Sequence, residues 1–198
     1  EINRTIVDDI ADLHFVTRPA DAKNVLKPII VGDMEYMFLH QLEANGQIDI
    51  SRGDFILMTI HRAENTNCTM LSEIFRCCAC DKKIVFPAHP RTIRTMLENN
   101  IKIPDNIEVT EPVGYFKMVE LMSKCAGIIS DSGGVIKTAP FYGKRCIIPG
   151  FTEWTEVLTL GYGTTNFDIS WIDETIDRNV NLYYKSSACQ EIVDVLDV

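Results

Sequence analysis

The chain is short of basic residues: 19 Lys and Arg stand against 28 Asp and Glu, a formal net charge of −9. A general nucleic-acid surface needs clustered cations to displace the counterions of a phosphate backbone, so no nucleic-acid partner is expected. An anionic ligand must instead be held locally. No apolar run approaches the ~20 residues needed to span a bilayer, and no basic leader followed by an apolar segment opens the chain. The expectation is a cytoplasmic protein with no membrane partner. Repeats of fixed period and low-complexity tracts are also missing. The cysteines number seven, an odd count that suits a secreted disulfide framework poorly. Cys77-Cys78-Ala79-Cys80 lacks a second Cys pair or a nearby His at zinc-ligand spacing, so reduced thiols are expected there and a metal is not. An initiator Met is absent as well. The chain starts at Glu1 in what reads as a helix and is expected to be a piece of something longer.

What is present is 198 residues with 46% hydrophobic content, enough to bury a sizeable core in one globular domain plus an appendage. Apolar spacing predicts a helix over 2–12, a short strand over 13–16, a helix over 20–26 closed by Pro28, and a strand over 29–31 closed by Gly32. This opening is expected to be β/α material without a sheet of its own. A helix over 34–44 and a turn at Asn45-Gly46 follow. From Asp54 onward short apolar runs alternate with longer amphipathic stretches. Strands are predicted at 55–59, 84–86, 107–109, 127–130 and 146–148, and helices at 69–80, 90–98, 114–124, 134–142, near 152–160 and near 186–196. Such alternation predicts an α/β fold, a Rossmann-like parallel sheet flanked by helices.

The most informative stretch is Ile128-Ile-Ser-Asp-Ser-Gly-Gly-Val-Ile-Lys137. An apolar run that ends in small residues and restarts as a helix builds a phosphate cradle, because glycines admit an anion to the backbone and the helix start offers N–H groups and a positive dipole end. A tight strand-to-helix connection without a ligand is the other reading of the stretch taken alone. Its companions decide for a ligand. Thr59-Ile-His-Arg-Ala-Glu-Asn65 and Phe86-Pro-Ala-His-Pro-Arg91 also follow apolar runs, where open α/β sheets gather ligands at their carboxyl ends. A nucleotide or nucleotide-sugar is the expected ligand.

These runs, with Glu111-Pro-Val-Gly-Tyr115, Thr152-Glu-Trp-Thr-Glu156 and Ala188-Cys-Gln-Glu-Ile-Val-Asp-Val-Leu196, resemble the non-hydrolysing UDP-N-acetylglucosamine 2-epimerases, in that family's order and spacing. The resemblance implies half of a two-domain GT-B-like architecture. Residues 1–32 would be the trailing part of an otherwise absent N-terminal Rossmann-like domain, 33–185 the nucleotide-sugar-binding domain, and 186–198 a C-terminal crossing helix. It further implies interconversion of UDP-GlcNAc and UDP-ManNAc by elimination and re-addition of UDP, no cofactor, a UDP-sugar and the missing N-terminal domain as partners, and a homodimer. The isolated chain is expected to lack turnover.

The same resemblance names site residues. His61 is the catalytic candidate and sits with Arg62 beside the diphosphate; a surface His-Arg pair is the bland alternative. Glu64 orients His61 or Arg62, or caps the helix that follows. His89, held between Pro87 and Pro90, contacts ligand or is a loop His satisfied by a carbonyl, and Arg91 shares its loop or only decorates a helix start. Ser132, Gly133 and Gly134 offer hydroxyl and backbone N–H groups to phosphate, while Asp131 fixes the turn. Tyr115 and Met118 border the uracil or pack into the core. Thr138 stands where many relatives carry a carboxylate for the ribose hydroxyls, and Pro149-Gly150-Phe151 stands where an Arg-Asp type pair is usual. Lys137, Thr138 and Gly150-Phe151 motivate one alternative, a non-catalytic UDP-sugar-binding fragment, and a glycosyltransferase-like or hydrolysing relative with the same nucleotide cradle and different cleft chemistry is the other.

Overall fold

The computed structural model describes residues 2–196, so the ends of the expected segments at Glu1 and at Asp197-Val198 lie outside the described residues. The chain divides into two compact units, Glu1–Gln47 with Val180–Val198, and Ile48–Asn179.

In the first unit, α1 (Ile2–Ile10) carries Ile2, Ile6 and Ile10 one turn apart, all exposed. The next two strands, β1 (His14–Val16) and β2 (Pro28–Ile30), pair in parallel, with Phe15 opposite Ile29. The opening segment therefore has a two-stranded sheet of its own, contrary to expectation. Runs of three residues are too short to announce themselves by periodicity and are stabilised by their partner. Between them the expected helix shrinks to a 3-10 turn, Asp21–Asn24, in a segment bounded by Pro19 and Pro28. Helix α2 (Met34–Ala44) starts where Asp33 accepts from the N–H groups of Glu35 (2.9 Å) and Tyr36 (3.1 Å).

The second unit holds β3 (Phe55–Thr59), α3 (Cys68–Cys77), β4 (Lys83–Pro87), α4 (Pro90–Glu98), β5 (Ile107–Thr110), α5 (Tyr115–Lys124), β6 (Gly127–Ser130), α6 (Gly133–Tyr142), β7 (Cys146–Ile147), α7 (Thr155–Thr159) and β8 (Gly163–Thr164). Its six strands are all parallel, in the order β5-β4-β3-β6-β7-β8. The expected parallel sheet flanked by helices is present. The chain runs outward from β3 on one side, then returns to β6 on the other, so the order reverses between β3 and β6. That switch point opens a crevice at the carboxyl ends of the two strands. Two-residue β8 was absent from the sequence reading; it holds its place by pairing with β7.

Central strands are buried on both faces, as a covered parallel sheet requires. Ile56, Leu57, Met58, Ile128 and Ile129 have no solvent exposure, and each such side chain contributes roughly 1.5–3 kcal/mol. Gly127 opens β6 because a Cβ there would lie 2.3 Å from Ile172, in the 3-10 turn Ile169–Asp173 that packs on the strand. Helix α6 ends at Gly143 in the left-handed conformation, φ 62°. After α7, the last helix α8 (Ala188–Leu196) belongs to the first unit, as do Tyr183 and Tyr36, whose rings meet edge-on at 5.3 Å.

Candidate nucleotide-sugar site

At the switch point Thr59, the last residue of β3, lies opposite Ser130, the last of β6, and their hydroxyls hydrogen-bond at 2.6 Å. Both chains turn away immediately after this pair. Asp131 follows with no solvent exposure and receives donors from the neighbouring turn: the N–H of His61 (3.0 Å), the N–H of Arg62 (3.0 Å) and the Nδ2 of Asn65 (2.9 Å). Sequence reasoning assigned Asp131 to fixing its own turn. Ser130 does that instead, its Oγ accepting from the N–H of Ser132 (3.0 Å), while Asp131 secures the loop after β3.

The imidazole of His61 belongs to the same arrangement, with Nδ1 3.3 Å from Asp131 Oδ1. A carboxylate only accepts, so this contact orients the ring with Nδ1 toward Asp131. His89 is arranged the opposite way. It caps α4, its Nδ1 accepting from the N–H of Arg91 at 3.1 Å, with Pro90 at the first helical position. Its neutral ring therefore carries the proton on Nε2. The two imidazoles line one cleft of about 210 Å³ with Thr59, Pro112, Met118 and Ser132.

Ser132 and Val135 bring the start of α6 to the cleft. Ser132 precedes the helix without a side-chain cap, and the first intrahelical bond is from the N–H of Ile136 to the Ser132 carbonyl. The N–H groups of Gly133, Gly134 and Val135 thus have no partner within the helix. No acidic side chain occupies its first turn.

The structure brings His61, His89, Met118 and Ser132 into the cleft wall, with Gly133 and Gly134 following Ser132. Arg62 and Glu64 stand outside this lining. Arg62 donates to the Phe151 carbonyl (3.2 Å) and reaches Glu64 at 4.0 Å. Glu64 is exposed, and α3 is capped by Asn67, which accepts from the N–H of Met70 (3.0 Å), so Glu64 is not the cap. Tyr115 is exposed and meets Phe116 edge-on. Thr138 departs most from expectation. It is 2% exposed, and its hydroxyl donates to the Gly134 carbonyl one turn back at 2.9 Å, so its own helix occupies the group meant for a ribose. Arg91 does more than decorate a helix, since it donates to the His61 carbonyl at 2.7 Å.

Asn65 was missed. It is 3% exposed and bridges Asp131 to the Pro149 carbonyl (3.1 Å), joining the loops after β3, β6 and β7. A buried Asn leaves no periodic signal; only its place in the motif after His61 pointed to it. Among the described residues no group of three or more His, Cys, Asp or Glu side chains is gathered as a metal would need, and no helix is long and apolar enough to cross a membrane. All seven cysteines are unbridged, and burial pushes the Cys78, Cys125 and Cys146 thiols above their ordinary range.

The family model described as UDP-N-acetylglucosamine 2-epimerase matches residues 1–197. A UDP-N-acetylglucosamine 2-epimerase homolog of Methanococcus maripaludis is 32% identical over 209 residues, 94% of this chain and 58% of that protein. The UDP-2,3-diacetamido-2,3-dideoxy-D-glucuronate 2-epimerase of Pseudomonas aeruginosa is 36% identical over 180 residues, 81% of this chain and 50% of that one. The UDP-GlcNAc 2-epimerase of Methanocaldococcus jannaschii, solved in complex with UDP-GlcNAc and UDP, superposes with a TM-score of 0.79 at 26% identity, over 100% of this chain and 64% of that one. For the Neisseria meningitidis enzyme the TM-score is 0.74 at 23% identity, over 99% and 64%, a likeness of fold. The chain spans about half the length of the curated relatives it matches. A match that runs from the first helix through the crevice to the last helix is one to the whole fold rather than to a motif, and the chain belongs to the UDP-N-acetylglucosamine 2-epimerase family.

Proposed function

We propose that the chain is the C-terminal, nucleotide-sugar-binding half of a non-hydrolysing, cytoplasmic 2-epimerase that interconverts UDP-GlcNAc and UDP-ManNAc. The observation that carries this reading is the meeting of Thr59 and Ser130 at the switch point, with the uncapped start of α6 directly beyond it. Elimination removes the proton at C2 and breaks the C1–O bond, UDP leaving with the electron pair; re-addition delivers a proton to the other face of C2. Charge develops on the departing diphosphate, and the N–H groups of Gly133 and Gly134 are the donors set there to receive it. His61, oriented by Asp131, moves a proton at the diphosphate end, and His89 donates from its Nε2. Arg62 and Glu64 would join the site by swinging in from the rim, with Tyr115 and Met118 bordering the base.

On this reading residues 1–32 are the remainder of the first domain, 33–185 the binding domain and 186–198 the crossing helix. The grouping of 180–198 with 1–47 supports one compact unit formed by the two ends, with its boundaries at 47 and 180 rather than at 32 and 186. A cleft of about 210 Å³ is smaller than the ~300–1,000 Å³ typical of small-molecule sites, which supports a second wall supplied from elsewhere and no turnover by the isolated chain. The whole protein would work as a homodimer. The Pseudomonas relative supports a second sugar, a UDP-2,3-diacetamido uronate, and the loop Pro149-Gly150-Phe151, which carries no cation, is where the two substrates would be told apart.

The test is NMR of the chain with each UDP-sugar, following phosphorus and sugar signals together. Perturbed diphosphate signals without a new sugar support the reading. Release of free sugar and UDP would establish a hydrolysing relative, and unperturbed spectra at millimolar ligand would reject nucleotide-sugar binding by this half.

A further inference from the structure

The two glycines that open α6 have different surroundings. A Cβ on Gly134 would meet nothing within 4 Å, whereas one on Gly133 would lie 3.3 Å from the indole Nε1 of Trp154. At a helix start the Cα–Cβ bond tilts toward the N-terminus, so the vacant Cβ position of Gly133 marks the space bordering the unpaired N–H groups. Trp154 Nε1 stands at the edge of that space. An indole nitrogen is a donor only.

The ring is held in place from several sides. Lys137, one turn along α6, puts its ammonium 5.8 Å from the ring centroid. The N–H of Trp154 donates to the Oγ1 of Thr152 (3.2 Å), a residue 2% exposed. The preceding Pro149 carbonyl is bound by Asn65, which also binds Asp131. The loop bearing Trp154 is thereby tied to the same carboxylate that positions His61. It carries no arginine between Pro149 and Glu156, so a neutral donor is what this loop offers an anion.

Resting on the nucleotide-sugar reading above, we infer that the indole N–H of Trp154 donates to the diphosphate of the bound nucleotide, alongside the N–H groups of Gly133 and Gly134. Gly133 is glycine to make room for the indole, and Gly134 to make room for the ligand. Trp154 is a binding residue for the diphosphate and takes no part in proton transfer.

The experiment is calorimetric titration of the chain with UDP, comparing the parent with Trp154→Phe, which keeps an aromatic ring beside Lys137 but replaces the indole, with its N–H, by a smaller ring. A hydrogen bond to a charged group is worth enough that UDP should bind at least about tenfold more weakly to the variant. A second measurement does not depend on that variant folding. The chain has two tryptophans, and Trp171 lies under the Arg145 guanidinium at 4.4 Å. In Trp171→Phe, therefore, fluorescence reports Trp154 alone and should change as UDP saturates. UDP affinity in Trp154→Phe within twofold of the parent, or unchanged Trp154 emission at saturating UDP, would overturn the inference and leave the binding site standing. A parent chain that binds no UDP would overturn the nucleotide-sugar reading, and the role of Trp154 with it.

Discussion

The carboxylate of Asp131, at the end of one central strand, accepts the backbone N–H of His61, at the end of the other, at 3.0 Å. Two loops far apart in the chain thus share one buried acceptor, and the imidazole of His61 is oriented by the group that holds its backbone. Loop conformation and side-chain orientation are consequently coupled at the crevice. Changes there should register in stability and ligand binding together.

Asp131→Asn tests that coupling most directly. Asparagine keeps the shape but replaces one acceptor oxygen by an NH2 group, facing the donors of Arg62 and Asn65 with a donor. Leaving buried donors unpaired should cost on the order of 2–4 kcal/mol. Urea denaturation should show the midpoint falling by the corresponding amount, with UDP binding lost even where the variant remains folded. An unchanged midpoint would mean the loop is held by other contacts.

The glycines should separate. Gly134→Ala has open space for its methyl group and removes glycine's entropic cost in a helix, so stability should hold or rise by about 0.5–1 kcal/mol. UDP should nevertheless bind more weakly, because the methyl group enters the ligand's space. Thermal denaturation and calorimetry on one preparation read both effects, and tighter UDP binding would contradict the cradle.

His89 has a structural task that can be removed or preserved by choice of residue. Replacing it with Ala deletes the cap of α4 and should cost about 0.5–2 kcal/mol. His89→Asn retains a capping oxygen and should recover most of that stability while losing the Nε2 donor. Stability restored together with UDP affinity would show that the imidazole serves the helix alone.

Alkaline pH should weaken the fold through its buried thiols. Burial pushes the Cys125 thiol up to about 12, with Lys144 acting in the opposite direction, and burial also raises those of Cys78 and Cys146. An unfolded Cys ionises near ~8.5. Between that pH and the folded value the unfolded chain binds fewer protons than the native one, so stability falls as pH rises, by up to about 2 kcal/mol per thiol by roughly pH 10. Unfolding free energies measured from pH 7 to 10 should decline, and Cys125→Ala should flatten the decline. A steeper slope in that variant would contradict the assignment.

Local order was legible in the amino-acid sequence where physics is local. The helices at 34–44 and 90–98 and the strands at 55–59 and 127–130 fall where periodicity and capping residues put them, because those signals are carried by neighbours along the chain. Alternation of the two patterns was enough for a parallel sheet with helices on its faces. The three-residue pairing of β1 with β2 and the two-residue β8 were not legible, since each exists through a partner distant in sequence.

Strand order, and with it the crevice, was decided only in three dimensions. Nothing along the chain says that Ser130 will end beside Thr59, yet that adjacency gives Asp131 its donors, His61 its orientation and Asn65 its bridge. Sequence alone sufficed for which groups are available, because residue chemistry is written in it. Which of them is spent on the fold was settled by burial: the Thr138 hydroxyl goes to its own helix, because a buried hydroxyl finds the nearest acceptor and here that is the carbonyl one turn back.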